Sequence, residues 1–274
     1  MVNQFKDFIF LELVMQLTSL ENLNDNIKFK EPKSFKVKDS NLKYQRIPIE
    51  VTYPNNKKGP LVIETPFLFS FGVTERRNQD SKKLVGYSIP VCLWSKDEEP
   101  NKKEKEFYEA INNLTSLAQQ YLESDFGPDA ASHLTDPLYY KEEEYTDKKG
   151  KKKTRKSKSA APVLYAKLIY SERSKKILSL FKDNKGKDLN PFKYLDQYFT
   201  VKLALIVEGI FMSKSVTSLQ IKVHECRIKP LKPRESLLPF DDEEDEEEEV
   251  KEYDYSSEEE DAKELKELEE ALIE

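Results

Sequence analysis

Residues 201–228 read VKLALIVEGIFM, SKS, VTSLQIKVHECRI. Val201 to Met212 and Val216 to Ile228 are each long enough for one extended strand, and Ser213-Lys214-Ser215 is a short polar joint between them. In the second run Leu219, Ile221 and Val223 point one way while Gln220, Lys222 and His224 point the other. That period of two belongs to a strand with one buried and one wet face. Two such strands in succession make the end of the chain a long β-hairpin, against which the rest is read.

Working upstream, Ile47, Ile49, Val51 and Tyr53 alternate with polar residues and run into the turn Pro54-Asn55-Asn56. Pro60 to Glu64 is a short strand, Phe67, Phe69 and Phe71 alternate next, and Leu84 to Trp94 is extended; Pro90 inside it predicts an edge strand or a bulge. Asn101 to Phe126 changes period: Phe107, Ile111, Leu114, Leu117, Tyr121 and Leu122 form one helical stripe, closed by Gly127-Pro128. Strands return at Pro162–Tyr170 and Ile177–Phe181, a turn follows at 183–186, and Asn190 caps a short helix starting at Pro191. The first 23 residues predict an amphipathic helix with Phe5, Phe8, Ile9 and Leu13 on one face. No internal repeat is present. The expected class is β-rich α+β: a β-barrel or twisted sheet with peripheral helices.

Charge divides the 274-residue chain. From Asp241 onward there are 20 acidic and 3 basic residues, a net charge of −17; Met1 to Phe240 holds 42 basic and 31 acidic residues, a net charge of +11. The whole-chain charge of −6 therefore describes neither part. A basic body (1–239) with an acidic tail (240–274) points to a polyanionic partner. Lys148 to Lys158 alone supplies 8 positive charges, and without it the body is only about +3. Residues 129–161, which contain this run, read as a long exposed loop, partly disordered. The run itself suits a phosphate grip, a nuclear import signal or a solvated loop. Asp241 to Glu249 are nine consecutive acids that self-repulsion keeps extended. Beyond them Leu265, Leu268 and Leu272 have the spacing of a short partner-docking helix, and Ser256 and Ser257 each precede Glu by three residues, a site for an acidophilic kinase. Such a tail is a polyanion tethered beside a polyanion-binding surface, at high effective concentration.

Enzyme signatures are scarce, and the expectation is a non-enzymatic protein without cofactor or metal. There is no Walker A loop and no G-x-G-x-x-G; His133 and His224 have no ligand spacing, and Cys92 and Cys226 lack a C-x-x-C partner. A carboxylate-only metal site stays open among so many acids. The two cysteines and the absence of a basic leader before the short apolar run Phe8–Leu20 predict an intracellular, non-membrane protein. Binding signatures are more frequent. Single strands are held by a positive groove and by rings on which bases stack. Rings and cations interleave at Tyr44 with Arg46, Phe71 with Arg76 and Arg77, Lys82 and Lys83 with Tyr87, at Trp94, at Tyr165 with Lys167, and at Lys193 with Tyr194; Lys222 lies on the polar face of its strand. These are the candidate single-stranded-DNA contacts.

Three stretches carry a resemblance. They are 42–49 followed by Gly59-Pro60-Leu61; Thr65 to Val73; and Glu208-Gly209-Ile210-Phe211 leading into 218–223. The chain resembles the single-stranded-DNA-binding proteins of nucleocytoplasmic large DNA viruses, the African swine fever virus and iridovirus group. That resemblance implies an oligonucleotide/oligosaccharide-binding (OB) barrel, a role in viral genome replication or recombination, and residence in the host cytoplasm (viral factory) or nucleus. The expected partners are single-stranded DNA, replication proteins reached through the tail, and further copies of the chain on DNA. Two other classes stay open: an acidic-tailed, histone-chaperone-like interaction protein, and a virion structural component.

Overall fold

The structure, a computed structural model, describes residues 15–20, 26–36, 43–78, 81–95, 98–146, 150–157 and 160–230. The acidic tail, its leucine spacing and its serines lie outside the described residues. So does most of the expected N-terminal helix; 15–20 run without regular structure.

Short strands come first: β1 (Ile27–Phe29), β2 (Lys33–Lys36), β3 (Lys43–Thr52), β4 (Lys58–Gly59), β5 (Leu61–Glu64), β6 (Leu68–Ser70), β7 (Thr74–Arg77) and β8 (Leu84–Cys92). Helix α1 (Lys102–Phe126) and the short α2 (Pro128–Ser132) follow. Then come β9 (Leu134–Thr135), β10 (Leu138–Tyr139), β11 (Glu142–Thr146), β12 (Lys152–Lys156), β13 (Val163–Leu168), β14 (Tyr170–Ser171), β15 (Lys176–Ile177) and β16 (Leu180–Asp183). A 3₁₀ turn (Pro191–Tyr194) leads into the hairpin β17 (Phe199–Ser213) and β18 (Thr217–Pro230).

The closing hairpin organises everything else. One edge of β17 runs along β18; its other edge pairs in succession with β6, β5 and β3. β6 pairs with β8, β8 with β13, and β13 in parallel with β18. The pairings thus run in a five-membered circuit, β17–β6–β8–β13–β18, within a mixed, strand-rich sheet. β17 changes partner where it is bulged, between Val207 and Gly209. Gly209 faces Gln220 on one side and Pro48 on the other. Its φ is +142°, and a Cβ there would stand 2.0 Å from the Ile47 carbonyl oxygen, so only glycine lets β3 cross so close.

Alternation then sorts the side chains. Leu164, Ala166 and Leu168 of β13, Ile89 and Val91 of β8, and Leu219, Ile221 and Val223 of β18 are buried on the inner face. They share one core with Phe107, Ile111, Leu114, Ala118 and Leu122 of α1. The helix starts at a complete capping box: the Asn101 side chain accepts from Lys103 and Glu104 N–H, and the Glu104 carboxylate accepts from Asn101 N–H.

Two expectations are corrected. The described residues of 129–161 are not one loop. They form α2, β9, β10 and an exposed hairpin in which β11 faces β12, Glu142 opposite Lys156 and Glu143 opposite Arg155. Opposite charges across the strands and the Arg155–Glu143 bond of 2.8 Å explain why so charged a segment pairs. Pro90 is not on an edge strand: β8 pairs with β13 along one side and with β6 and then β7 along the other, and Pro90 sits where the register slips between those two. Because β6 ends at Ser70, nothing on that side asks Pro90 for an N–H. Its carbonyl instead accepts the Ser70 hydroxyl at 2.9 Å.

Candidate nucleic-acid interface

The outer face of the same sheet follows from the pairing register, since residues directly opposite share a face. At the β6 end, Phe69 lies opposite Cys92, which lies opposite Val163, which lies opposite Tyr139. Next, Pro90 lies opposite Tyr165, and Phe71 N–H donates to the Pro90 carbonyl. A further row runs Thr74, Ser88, Lys167, Lys222. Two residues along β18 comes Gln220, then Ser218, which faces Phe211, which faces Arg46. Tyr44, opposite Phe35, ends the series. From β3 across β17, β18, β13 and β8 to β7 there are five strand spacings, about 24 Å along the sheet.

Rings gather at the two ends of this face. At the β3 end Phe35 stacks on Tyr44 (5.3 Å, 16°) and Tyr44 meets Phe211 at 5.3 Å. The Arg46 guanidinium lies 5.9 Å from the Phe35 centroid and 5.7 Å from that of Tyr44. At the β6 end Phe69, Phe71 and Tyr198 meet edge to face, and Tyr139 meets Tyr165 at 6.1 Å and 80°. Phe35 and Phe71 are 42% exposed, Tyr165 52%, Tyr139 55% and Tyr198 62%. Five large rings left in water on one side of a sheet make an exposed apolar surface of the kind that marks interaction sites.

Between the two ring clusters the face is cationic. Lys167 Nζ donates to Gln220 Oε1 at 3.1 Å, and Lys222 pairs with Glu208 at 2.7 Å. Burial, then the nearby charges of Arg76 and Lys222, push the Lys167 ammonium below its ordinary pKa, with Glu208 acting in the opposite sense. Burial lowers Arg76 as well. Three cations thus crowd together against one carboxylate, an arrangement relieved by an arriving anion. Among the described residues no three His, Cys, Asp or Glu side chains come together to hold a metal, and no helix is long and apolar enough to cross a membrane.

The structure therefore brings Tyr44, Arg46, Phe71, Arg76, Tyr165, Lys167 and Lys222 onto one face. It places the other expected residues elsewhere. Tyr87 is on the inner face, 7% exposed, edge-on to Tyr170 and Phe192. Trp94 lies half-buried against Tyr108 of α1, and Tyr194 packs on Phe199. Lys193 is exposed on the 3₁₀ turn. Arg77 is held by Glu75 and by the Lys82 carbonyl, and Lys83 by Glu172 at 2.7 Å, all at the tip of the β7–β8 hairpin beside the exposed Lys82. Phe35, Phe69, Tyr139, Tyr198, Phe211 and Gln220 join the face without having been expected there. For Phe69 the signal was visible in the alternation with Phe67 and Phe71. Phe211 was hidden because the bulge at Glu208 reverses the inside–outside parity of β17.

No curated protein matches the sequence. Among solved structures the fold is similar to a single-stranded DNA-binding protein from bacteriophage Enc34 in complex with ssDNA, at 12% identity, covering 75% of this chain and 97% of that one, with a TM-score of 0.41. It is also similar to gp2.5, a single-stranded DNA-binding protein encoded by bacteriophage T7, at 13% identity, covering 68% and 98%, with a TM-score of 0.30. Residues 23–266 match the family described as protein of unknown function (DUF2738), and the chain belongs to that family.

Proposed function

We propose that this protein binds single-stranded DNA without strict sequence preference, laying it along the outer face from Tyr44 to Phe71. The observation that carries the reading is the collection, on one face, of exposed rings at both ends and of Lys167, Lys222 and Arg76 between them. Rings take unpaired bases, and cations take the phosphates that connect them. The five-membered circuit of strand pairings supports a further reading of the core as an OB-like barrel. The role is binding rather than catalysis. It serves viral genome replication or recombination in the host cytoplasm or nucleus, with further copies joining on the same strand. The acidic tail, at −17, competes with DNA for the face and recruits replication proteins.

Titration of the full-length protein with labelled oligo-dT and with a duplex of equal length, at several salt concentrations, tests this. The expected result is tighter binding of the single strand. Log affinity should fall with log salt at a slope of about −3, since four outer-face cations (Arg46, Arg76, Lys167 and Lys222) each contribute about −0.7. Equal affinity for the two forms at the same salt sinks the reading, because a duplex hides the base faces that stacking needs.

A further inference from the structure

Beside Tyr165 the outer face deepens into a groove. It lies between the segment Asp136–Tyr140, strand β13 and the β11–β12 hairpin, and its volume is about 450 Å³. That is within the range of sites that enclose a small ligand. One wall is the edge-to-face pair Tyr139 and Tyr165, each more than half exposed. Across from it Lys156 lies 3.5 Å from the ring centroid of Tyr140 and 3.7 Å from Asp136 Oδ2. Tyr140 is itself fixed, its hydroxyl 3.3 Å from that of Tyr108 on the helix. Asp136 Oδ1 accepts the Leu138 N–H at 2.9 Å, which orients the carboxylate. Rings, the cation Lys156 and two carboxylates, the oriented Asp136 and Glu142 opposite Lys156, therefore surround one space, and Tyr165 belongs both to that space and to the face described above.

Building on the single-strand reading, we propose that this groove takes one nucleotide of the bound strand. Its base lies against Tyr139 and Tyr165, its phosphate rests on Lys156, and Asp136 selects a base that carries an exocyclic amino group. An ionised carboxylate only accepts hydrogen bonds. Cytosine offers it the N4 donor, whereas thymine presents the O4 acceptor at the same place and is repelled. Lys156, released from Asp136 by that exchange, remains charged for the phosphate.

The test compares dC12 with dT12 by fluorescence anisotropy on the full-length protein at one salt concentration. The wild type is expected to favour dC12 by about fivefold. Asp136→Asn keeps an oxygen for the Leu138 N–H and adds a donor, so the ratio should fall to about one with the thermal midpoint unchanged. Tyr139→Ala should weaken both oligonucleotides alike. A wild-type ratio near one, or a ratio that Asp136→Asn leaves in place, overturns the groove and leaves the outer-face reading standing. Absence of binding to both oligonucleotides overturns the groove and the outer-face reading together.

Discussion

Two tyrosines on paired strands, alike in kind but not in environment, separate binding from packing. Tyr165 stands 52% exposed on the outer face and Tyr87 7% exposed on the inner one. Tyr165→Ala removes a stacking platform, so oligo-dT affinity should drop by about 1–3 kcal/mol with the melting temperature unchanged. Tyr87→Ala empties the space between Tyr170 and Phe192, so stability should drop by about 3 kcal/mol or more; chemical denaturation of the two variants, beside their titrations, distinguishes them. Lys167 adds a pH dependence. Its folded pKa lies below the ordinary 10.5, so on raising the pH it loses its charge before an ordinary lysine does. A phosphate beside it favours the charged form, and binding therefore takes up a proton across that interval. Affinity for oligo-dT should fall as pH rises through the lowered pKa, and Lys167→Arg, which stays charged, should remove most of the fall. A titration series from neutral pH upward that shows no difference between wild type and Lys167→Arg contradicts this account.

Among the elements, Gly209 is where the fold is least tolerant. Gly209→Ala drives a methyl group into the Ile47 carbonyl at a φ that side chains avoid, and backbone has no rotamer with which to yield. A loss of about 3 kcal/mol or more is expected, measured as a shift of the urea midpoint, with β3 and its Tyr44–Arg46 cluster the first to detach. The same bulge explains what the sequence could and could not disclose. Regular stretches were legible: the α1 stripe, the Asn190-capped turn at Pro191, and the two faces of β18 follow directly from period and, at Asn190, from capping chemistry. Tyr165 and Lys167 were legible as face-sharing neighbours for the same reason. Tyr87 was not, because its strand is buried on both faces through 86–91 and composition no longer distinguishes them. Phe35, Tyr139 and Tyr198 were not, because each reaches the face through the pairing of a two- to four-residue strand or from a connection, and such registers are decided by tertiary packing rather than by local pattern.

At the scale of the whole molecule, charge is divided along the chain. Removing everything after Pro239 changes the net charge from −6 to +11, Phe240 being uncharged. Asp241 to Ser257 spans 17 residues, a reach of roughly 50 Å when extended. A tail competing for the outer face should therefore make the truncated protein the tighter oligo-dT binder at about 50 mM salt, and screening should shrink the difference as salt rises. Unchanged affinity at low salt ends the competition idea. If a pull-down of replication proteins is lost by the same truncation, the tail serves partners alone.

The succession of partners along β17 also has a consequence for how the protein is made. The strands on its edge away from β18 are synthesised long before it. Thr65, whose hydroxyl accepts the Leu203 N–H, precedes its partner by 138 residues, about 7–28 s of translation at 5–20 residues per second. During that interval β3, β5 and β6 lack the strand they pair with, and unpaired apolar strands are prone to aggregate. A message truncated just before Phe199 therefore leaves β8 paired with β6 and β13 but deprives β3, β5 and β6 of the strand that joins them.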